Sequence, residues 1–119
     1  MGSSTAYLEN YRVSPRKARL VADQVRGKGV EDALVILDLS PKRFARALAK
    51  LLRSALANAE EKNSRDRAGI DIDNLIVGRV TVDPGPSMWR VSSRAQGRAA
   101  WIQKRTAHVR VVLSEQGEE

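Results

Sequence analysis

The spacing of apolar positions changes along the chain, and each change predicts an element. Residues 6–13 carry Tyr7, Tyr11 and Val13, which favour extended backbone, and predict a short strand whose alternation is imperfect. Ser14-Pro15 then reads as a helix start, with a serine able to cap free N–H groups and a proline at the first position, where its missing N–H costs nothing. Ala18, Val21, Ala22 and Val25 follow at helical spacing and lay one apolar stripe, while Arg16, Lys17, Arg19 and Arg26 occupy the other face. Gly27-Lys28-Gly29 ends that helix and leads to a shorter one in which Val30, Ala33, Leu34 and Leu37 share a face. Ser40-Pro41 repeats the cap-plus-proline signal and is expected to open the longest helix, with Phe44, Leu48, Leu51, Leu52, Ala55, Leu56 and Ala59 at helical spacing until the polar run 60–69 ends it. From Ile70 the period becomes two: Ile70, Ile72, Ile76, Val80 and Val82 predict a strand, and Val109, Val111 and Leu113 predict its partner.

Between those strands lies a segment that fits neither pattern. Residues 84–106 contain too few large apolar groups to bury themselves, and they read as a long hairpin arm. The expected organisation is a single domain over 1–119, with a globular part at 6–83 and 107–114, the arm at 84–106, and ends that take no part. Residues 1–5 show no pattern and are left outside the expected fold.

Composition narrows the function. A chain of 119 residues with 42% hydrophobic content supports one modest core. No run is long and apolar enough to span a membrane and no secretory leader is visible, so a soluble, intracellular protein with no membrane partner is expected. The absence of cysteine removes disulfides, thiol nucleophiles and thiolate metal sites, and the single histidine, His108, is too little for a zinc site or a triad. The net charge of +7, from 21 Lys+Arg against 14 Asp+Glu, indicates a polyanionic partner.

The distribution of charge says more than its sum. No Asp or Glu occurs from Pro84 to Ser114, whereas Arg90, Arg94, Arg98, Lys104, Arg105 and Arg110 lie there. Arg12, Arg16, Lys17 and Arg19 form a second cluster, residues 50–83 balance acids against bases, and Glu115, Glu118 and Glu119 make the tail acidic. Both tryptophans, Trp89 and Trp101, fall inside the basic arm, and cations beside aromatic groups suit phosphates and exposed bases of folded RNA. Trp101 has two readings, packing at the base of the arm or facing RNA. His108 reads as a polar strand residue or an RNA contact. Asp71 and Asp73 would share a face of a strand and resemble a magnesium pair, but fit solvated turn residues better. No catalytic constellation, cofactor site or metal site emerges.

Several motifs together carry a resemblance. Residues 14–23 (SPRKARLVAD), 25–28 (VRGK), 54–60 (SALANAE), 83–88 (DPGPSM), 94–99 (RAQGRA) and 104–108 (KRTAH) occur in the order and spacing of the bacterial-type large-subunit ribosomal protein twenty-two family, which this chain resembles over about residues 6–113. The resemblance implies an α+β fold, three helices packed on a small antiparallel sheet with a long extended β-hairpin arm. It implies a structural constituent of the large ribosomal subunit, without enzymatic activity, that binds and organises rRNA during assembly near the tunnel exit. In that family the hairpin tip lines the nascent-chain exit tunnel and influences stalling and macrolide response. Carried over by position, the tip is Ser87, Met88, Trp89, Arg90 and Val91 onward to Arg98. The rRNA-facing set is Arg12, Ser14, Arg16, Lys17, Arg19, Arg26, Lys28, Arg90, Arg94, Arg98, Lys104, Arg105, Thr106 and His108. Partners would be large-subunit rRNA, neighbouring ribosomal proteins and the nascent polypeptide, on a cytoplasmic ribosome or an organellar one.

The chain departs from the family pattern by Trp89 in place of lysine, Ser93 in place of proline, Ala107 in place of serine, and less charge around Ala100 and Trp101. Its arm is therefore less basic and more aromatic. The other class of function weighed is a free RNA-binding or RNA-chaperone module with the same fold, and a magnesium-dependent nuclease built on Asp71 and Asp73 stands third.

Overall fold

A computed structural model describes residues 3–67, 69–93 and 99–115, with the side chains of 92, 93, 99 and 100 left out of the description. The elements run β1 (Ser3–Tyr11), α1 (Pro15–Val25), α2 (Val30–Leu39), α3 (Arg43–Asp66), a single 3-10 turn (Ile72–Asn74), β2 (Leu75–Pro84), β3 (Met88–Ser93), β4 (Ala99–Lys104) and β5 (Ala107–Glu115). The fold is α+β. β5 lies between β1 and β2 in an antiparallel three-stranded sheet, and β3 pairs with β4 as a separate two-stranded ribbon.

The three helices pack on one face of the larger sheet because each presents a continuous apolar stripe. Ala18, Val21, Ala22 and Val25 of α1 and Val30, Ala33 and Leu37 of α2 are buried. From α3 come Phe44, Leu48, Leu51, Leu52, Ala55 and Ala59, which meet Val77, Val80, Val109, Val111 and Leu113 of the sheet in one core. The opposite face of the sheet is open, and there Arg110 lies over the ring of Tyr7 at 5.7 Å.

Several expected boundaries move, each for a local reason. β1 begins at Ser3, inside the segment without pattern. Ser4 is only 1% exposed and its hydroxyl donates to Ala55 O at 2.8 Å, tying the strand to the middle of α3. Ser14 holds the N-cap position of α1 with Pro15 first in the helix, yet its side chain makes no capping bond. Ser40 closes α2 instead of opening α3: its N–H donates to Leu37 O, and Lys42 becomes the N-cap of the long helix. α3 continues through the polar run to Asp66, where every residue from Glu60 on is exposed except the half-buried Asn63, and stops where Arg67 turns left-handed at φ 50°. Ile72 lies in the 3-10 turn and not in a strand.

Two bulges explain why the strand patterns were imperfect. In β2 the register passes from Val77 opposite Leu113 to Arg79 opposite Val112, leaving Gly78 as the extra residue. The inward set is therefore Leu75 and Val77, then Val80 and Val82, and Ile76 is only half-buried. In β1 the register slips between Leu8 and Tyr11, where Asn10 adopts φ 55° and its N–H donates to His108 Nδ1 at 3.2 Å.

Exposed sheet edges invite pairing with other chains, and both edges here carry partners. On β2, Gly27 N–H donates to Val77 O and Val77 N–H to Lys28 O, each at 2.8 Å. Further along, Arg26 Nη2 donates to Val80 O at 2.8 Å and Arg19 Nε and Nη2 donate to Val82 O at 3.2 and 2.9 Å. On β1, Lys62 Nζ donates to Ser3 O and Asn58 Nδ2 to Thr5 O, both at 2.9 Å.

Candidate nucleic-acid interface

The basic face of α1 is divided by these edge bonds. Arg16 and Lys17 are exposed, with no hydrogen bond or ion pair to the rest of the described chain. Arg19 and Arg26 instead bolt the helix to β2, and Arg26 also pairs with Asp23 three residues earlier. A guanidinium has five N–H donors, so these two keep donors for an outside acceptor while their position is fixed from within. Lys28 and Arg12 are exposed on the adjoining loops, and Ser14 is half-buried at the helix start.

The arm leaves the body through a tight joint. Gly85 N–H donates to Thr106 O at 2.9 Å, and Thr106 Oγ1 donates to Pro86 O at 2.6 Å. A side chain at Gly85 would place its Cβ 2.6 Å from Thr106 Oγ1 and 3.2 Å from His108 Nε2, so only glycine fits there. Thr106 is thus buried with its hydroxyl committed to Pro86, and His108 is half-buried between the joint and the β1 bulge. The Thr106 hydroxyl serves the joint directly, and the His108 ring ties β5 to the β1 bulge.

Beyond the joint the two strands of the arm run in register from Met88 opposite Lys104 to Ser93 opposite Ala99. Ser87 and Met88, expected at the tip, therefore stand at the inner end of the ribbon. Ser87 Oγ accepts from Gln103 Nε2 at 3.1 Å, and Gln103 Oε1 accepts from Arg105 Nε at 3.3 Å. The described pairing ends with Ser93 opposite Ala99, and Arg94 and Arg98, expected as RNA contacts, lie outside the described residues. Alternation puts Trp89, Val91, Trp101 and Gln103 on one face and Met88, Arg90, Ile102 and Lys104 on the other. Trp89 and Trp101 are 59% and 68% exposed, which excludes packing of Trp101 against the sheet. With no apolar partner layer, that aromatic face is available to whatever surrounds the arm.

One positive surface was missed in the sequence. Arg43, Arg46 and Lys50 line a groove between α3 and β1. Their spacing of three and four along a helix was the available signal, hidden because the charges are diluted by alanine and leucine and form no run. Asp71 and Asp73, by contrast, flank and occupy the 3-10 turn and are exposed. Among the described residues no group of three or more His, Asp or Glu side chains is placed to hold a metal ion, and no helix is long and apolar enough to cross a membrane.

Similarity to known proteins places this α+β body, with its basic helix face and cationic, aromatic arm, among the structural constituents of the large ribosomal subunit, proteins that are not enzymes. The profile of the family described as "Ribosomal protein L22p/L17e" matches residues 6–114. Among similar proteins, "Large ribosomal subunit protein uL22" of Geobacter sulfurreducens is 50% identical over 112 residues, covering 94% of this chain and 96% of the relative. The protein of the same name from Anaeromyxobacter sp. is 53% identical over 108 residues, covering 91% of this chain and 72% of the relative. That from Desulforamulus reducens is 49% identical over 107 residues, covering 90% of each chain. The chain belongs to the Ribosomal protein L22p/L17e family, and as a bacterial-type member it is a protein of the cytoplasmic ribosome.

Proposed function

We propose that the chain binds and organises large-subunit rRNA during assembly, acting as a single unit through the exposed cations of α1 and through the arm, and that the outer part of the arm, from Arg90 and Val91 onward, lines the exit tunnel beside the nascent polypeptide. The observation that carries this reading is the arm itself: a two-stranded ribbon with solvent-facing Trp89, Arg90, Val91 and Trp101, in a stretch without one carboxylate from residue 84 to 114. Such a ribbon is marginal alone in water, and ordered phosphates around it supply the contacts that a core would otherwise give. β3 adds six residues beyond the joint, about 20 Å at the usual rise per residue, and the molecule measures 64 × 27 × 20 Å. That length supports a reach into RNA well away from the body. Neighbouring ribosomal proteins would meet the remaining surface.

Binding of this kind is electrostatic, so each phosphate contact steepens the dependence of affinity on salt. Arg16→Gln with Lys17→Gln, and separately Arg90→Gln with Arg105→Gln, are expected to lower the slope of log affinity against log salt by about 1 per charge removed when a large-subunit rRNA transcript is titrated. In a sucrose gradient of a cell lysate the tagged chain should sediment with the large subunit, and a photoreactive residue at Val91 should cross-link to a nascent chain. Unchanged slopes together with a chain at the top of the gradient would sink the reading. A chain in the large subunit whose Val91 cross-links only RNA would remove the tunnel assignment.

A further inference from the structure

The N-terminal turns of α3 carry a row of cations that form no hydrogen bond or ion pair among the described residues. Arg43, Arg46, Lys50 and Ser54 share one ridge of the helix, because residues three, four and seven apart lie on one face. This ridge and the β1 residues Leu8 and Tyr11 wall an open groove of about 440 Å3. Tyr11 and Arg43 also border a second recess with Arg12, again about 440 Å3, so the two spaces meet along shared side chains. No acidic residue lines either space among the described residues. Among the described residues, none of Arg12, Arg43, Arg46 and Lys50 has a carboxylate within ion-pair distance, and all four are exposed.

The neighbouring cations behave differently, which gives the row its meaning. Arg53, one turn further along α3, faces Asp38 at 3.5 Å, and Arg65 faces Glu61 at 3.5 Å. Arg19, Arg26 and Lys62 bond to strand carbonyls. Four cations left together on a concave surface repel one another, and a bound polyanion relieves that repulsion. From Arg43 to Lys50 the helix rises about 10 Å, giving a linear row of cations suited to successive charges on one chain. The wall opposite the row is aromatic: Tyr11 is half-buried, with its ring tilted against Phe44 at 5.8 Å between centroids. Cations in line with an aromatic wall match the phosphates and the ribose or base edge of nucleic acid.

We infer that the groove between α3 and β1 is a further RNA-binding site, in which one strand of RNA backbone lies along Arg12, Arg43, Arg46 and Lys50 with a sugar or base against Tyr11. The site rests on the rRNA-binding reading above and adds a surface to α1 and the arm.

The test uses the full chain and a full-length bacterial large-subunit rRNA transcript. Arg43→Gln, Arg46→Gln and Lys50→Gln are combined, since all three are exposed and glutamine keeps helix propensity; far-UV circular dichroism checks the fold. The triple variant is expected to bind at least about tenfold more weakly at 0.15 M salt, with the salt slope lowered by roughly 2 to 3. Hydroxyl-radical protection should vanish at a set of nucleotides that the Arg16→Gln, Lys17→Gln variant still protects, and lysine at all three positions should restore the slope. A triple variant with the parent slope and footprint overturns the groove site alone. A parent chain with no salt-dependent binding overturns the rRNA reading itself. Displacement of the RNA by poly-glutamate at equal charge concentration overturns the RNA assignment in favour of an acidic protein partner.

Discussion

Leu52→Ala is expected to lower folding stability by about 2–5 kcal/mol, the range for removing three methyl or methylene equivalents from a packed interior and leaving a cavity. Leu52 is 0% exposed in the middle of α3, on the stripe that also carries Leu48, Ala55 and Ala59. Its neighbours on that stripe are alanines in large part, so little bulk is available to collapse into the gap. Domains of this size have only about 5–15 kcal/mol in total, and the loss should appear as a fall in Tm of about 10 °C or more in far-UV circular dichroism. Leu20→Ala is the control. Leu20 is 56% exposed on α1, and its truncation should cost no more than about 0.5 kcal/mol. A Leu52→Ala loss as small as that of Leu20→Ala would contradict the placement of α3 at the centre of the core.

The second large effect concerns the β2 bulge and is non-additive. A Cβ at Gly78 would lie 2.5 Å from Ser114 Oγ, with Ser114 Cβ and Val112 O next at 3.5 Å. Ser114 Oγ is itself buried without a hydrogen-bond partner. Gly78→Ala is therefore expected to cost about 1–3 kcal/mol by overpacking. Ser114→Ala alone should be neutral or stabilising by up to about 1 kcal/mol, because it removes a buried hydroxyl that gains nothing from the fold. With both changes the one hard contact is gone and the rest are ordinary van der Waals distances. The double variant should regain most of the stability lost, a coupling of about 1–2 kcal/mol in urea titrations. Strict additivity would mean that the bulge, not the hydroxyl, resists a side chain at Gly78.

Much of the body was legible because α1 and α3 are plainly amphipathic. Ala18, Val21, Ala22 and Val25 are buried as their spacing requires, as are Val109, Val111 and Leu113 in the central strand. What misled was any feature whose cause is a distant partner. Ser4 has no pattern around it and is buried by one bond to Ala55. α3 ends inside its polar run, at Asp66, and the chain beyond it is tied back to the helix: Asn63 Nδ2 donates to Ile70 O and Asn63 Oδ1 accepts from Ile70 N–H, both at 2.7 Å. Ser40-Pro41 looks like a helix start, but the Ser40 N–H closes α2 on Leu37 O while its hydroxyl accepts from Lys42 N–H at 3.3 Å, and α3 begins only at Arg43. The same holds for the interface. Linear clustering found Arg16, Lys17 and the arm, yet it could not tell that Arg19 and Arg26 hold a sheet edge, nor that Arg43, Arg46 and Lys50 meet Tyr11 across a groove.

The placement of the two tryptophans gives the natural chain an optical probe that requires no label. Both indoles stand in water on the arm, and the core has none. Intrinsic tryptophan emission therefore belongs to the arm alone: it should begin red-shifted, respond when RNA or protein closes over Trp89 and Trp101, and pass almost silently through melting of the helical body. Fluorescence and circular dichroism would then follow separate events in one sample, docking in the first and folding in the second.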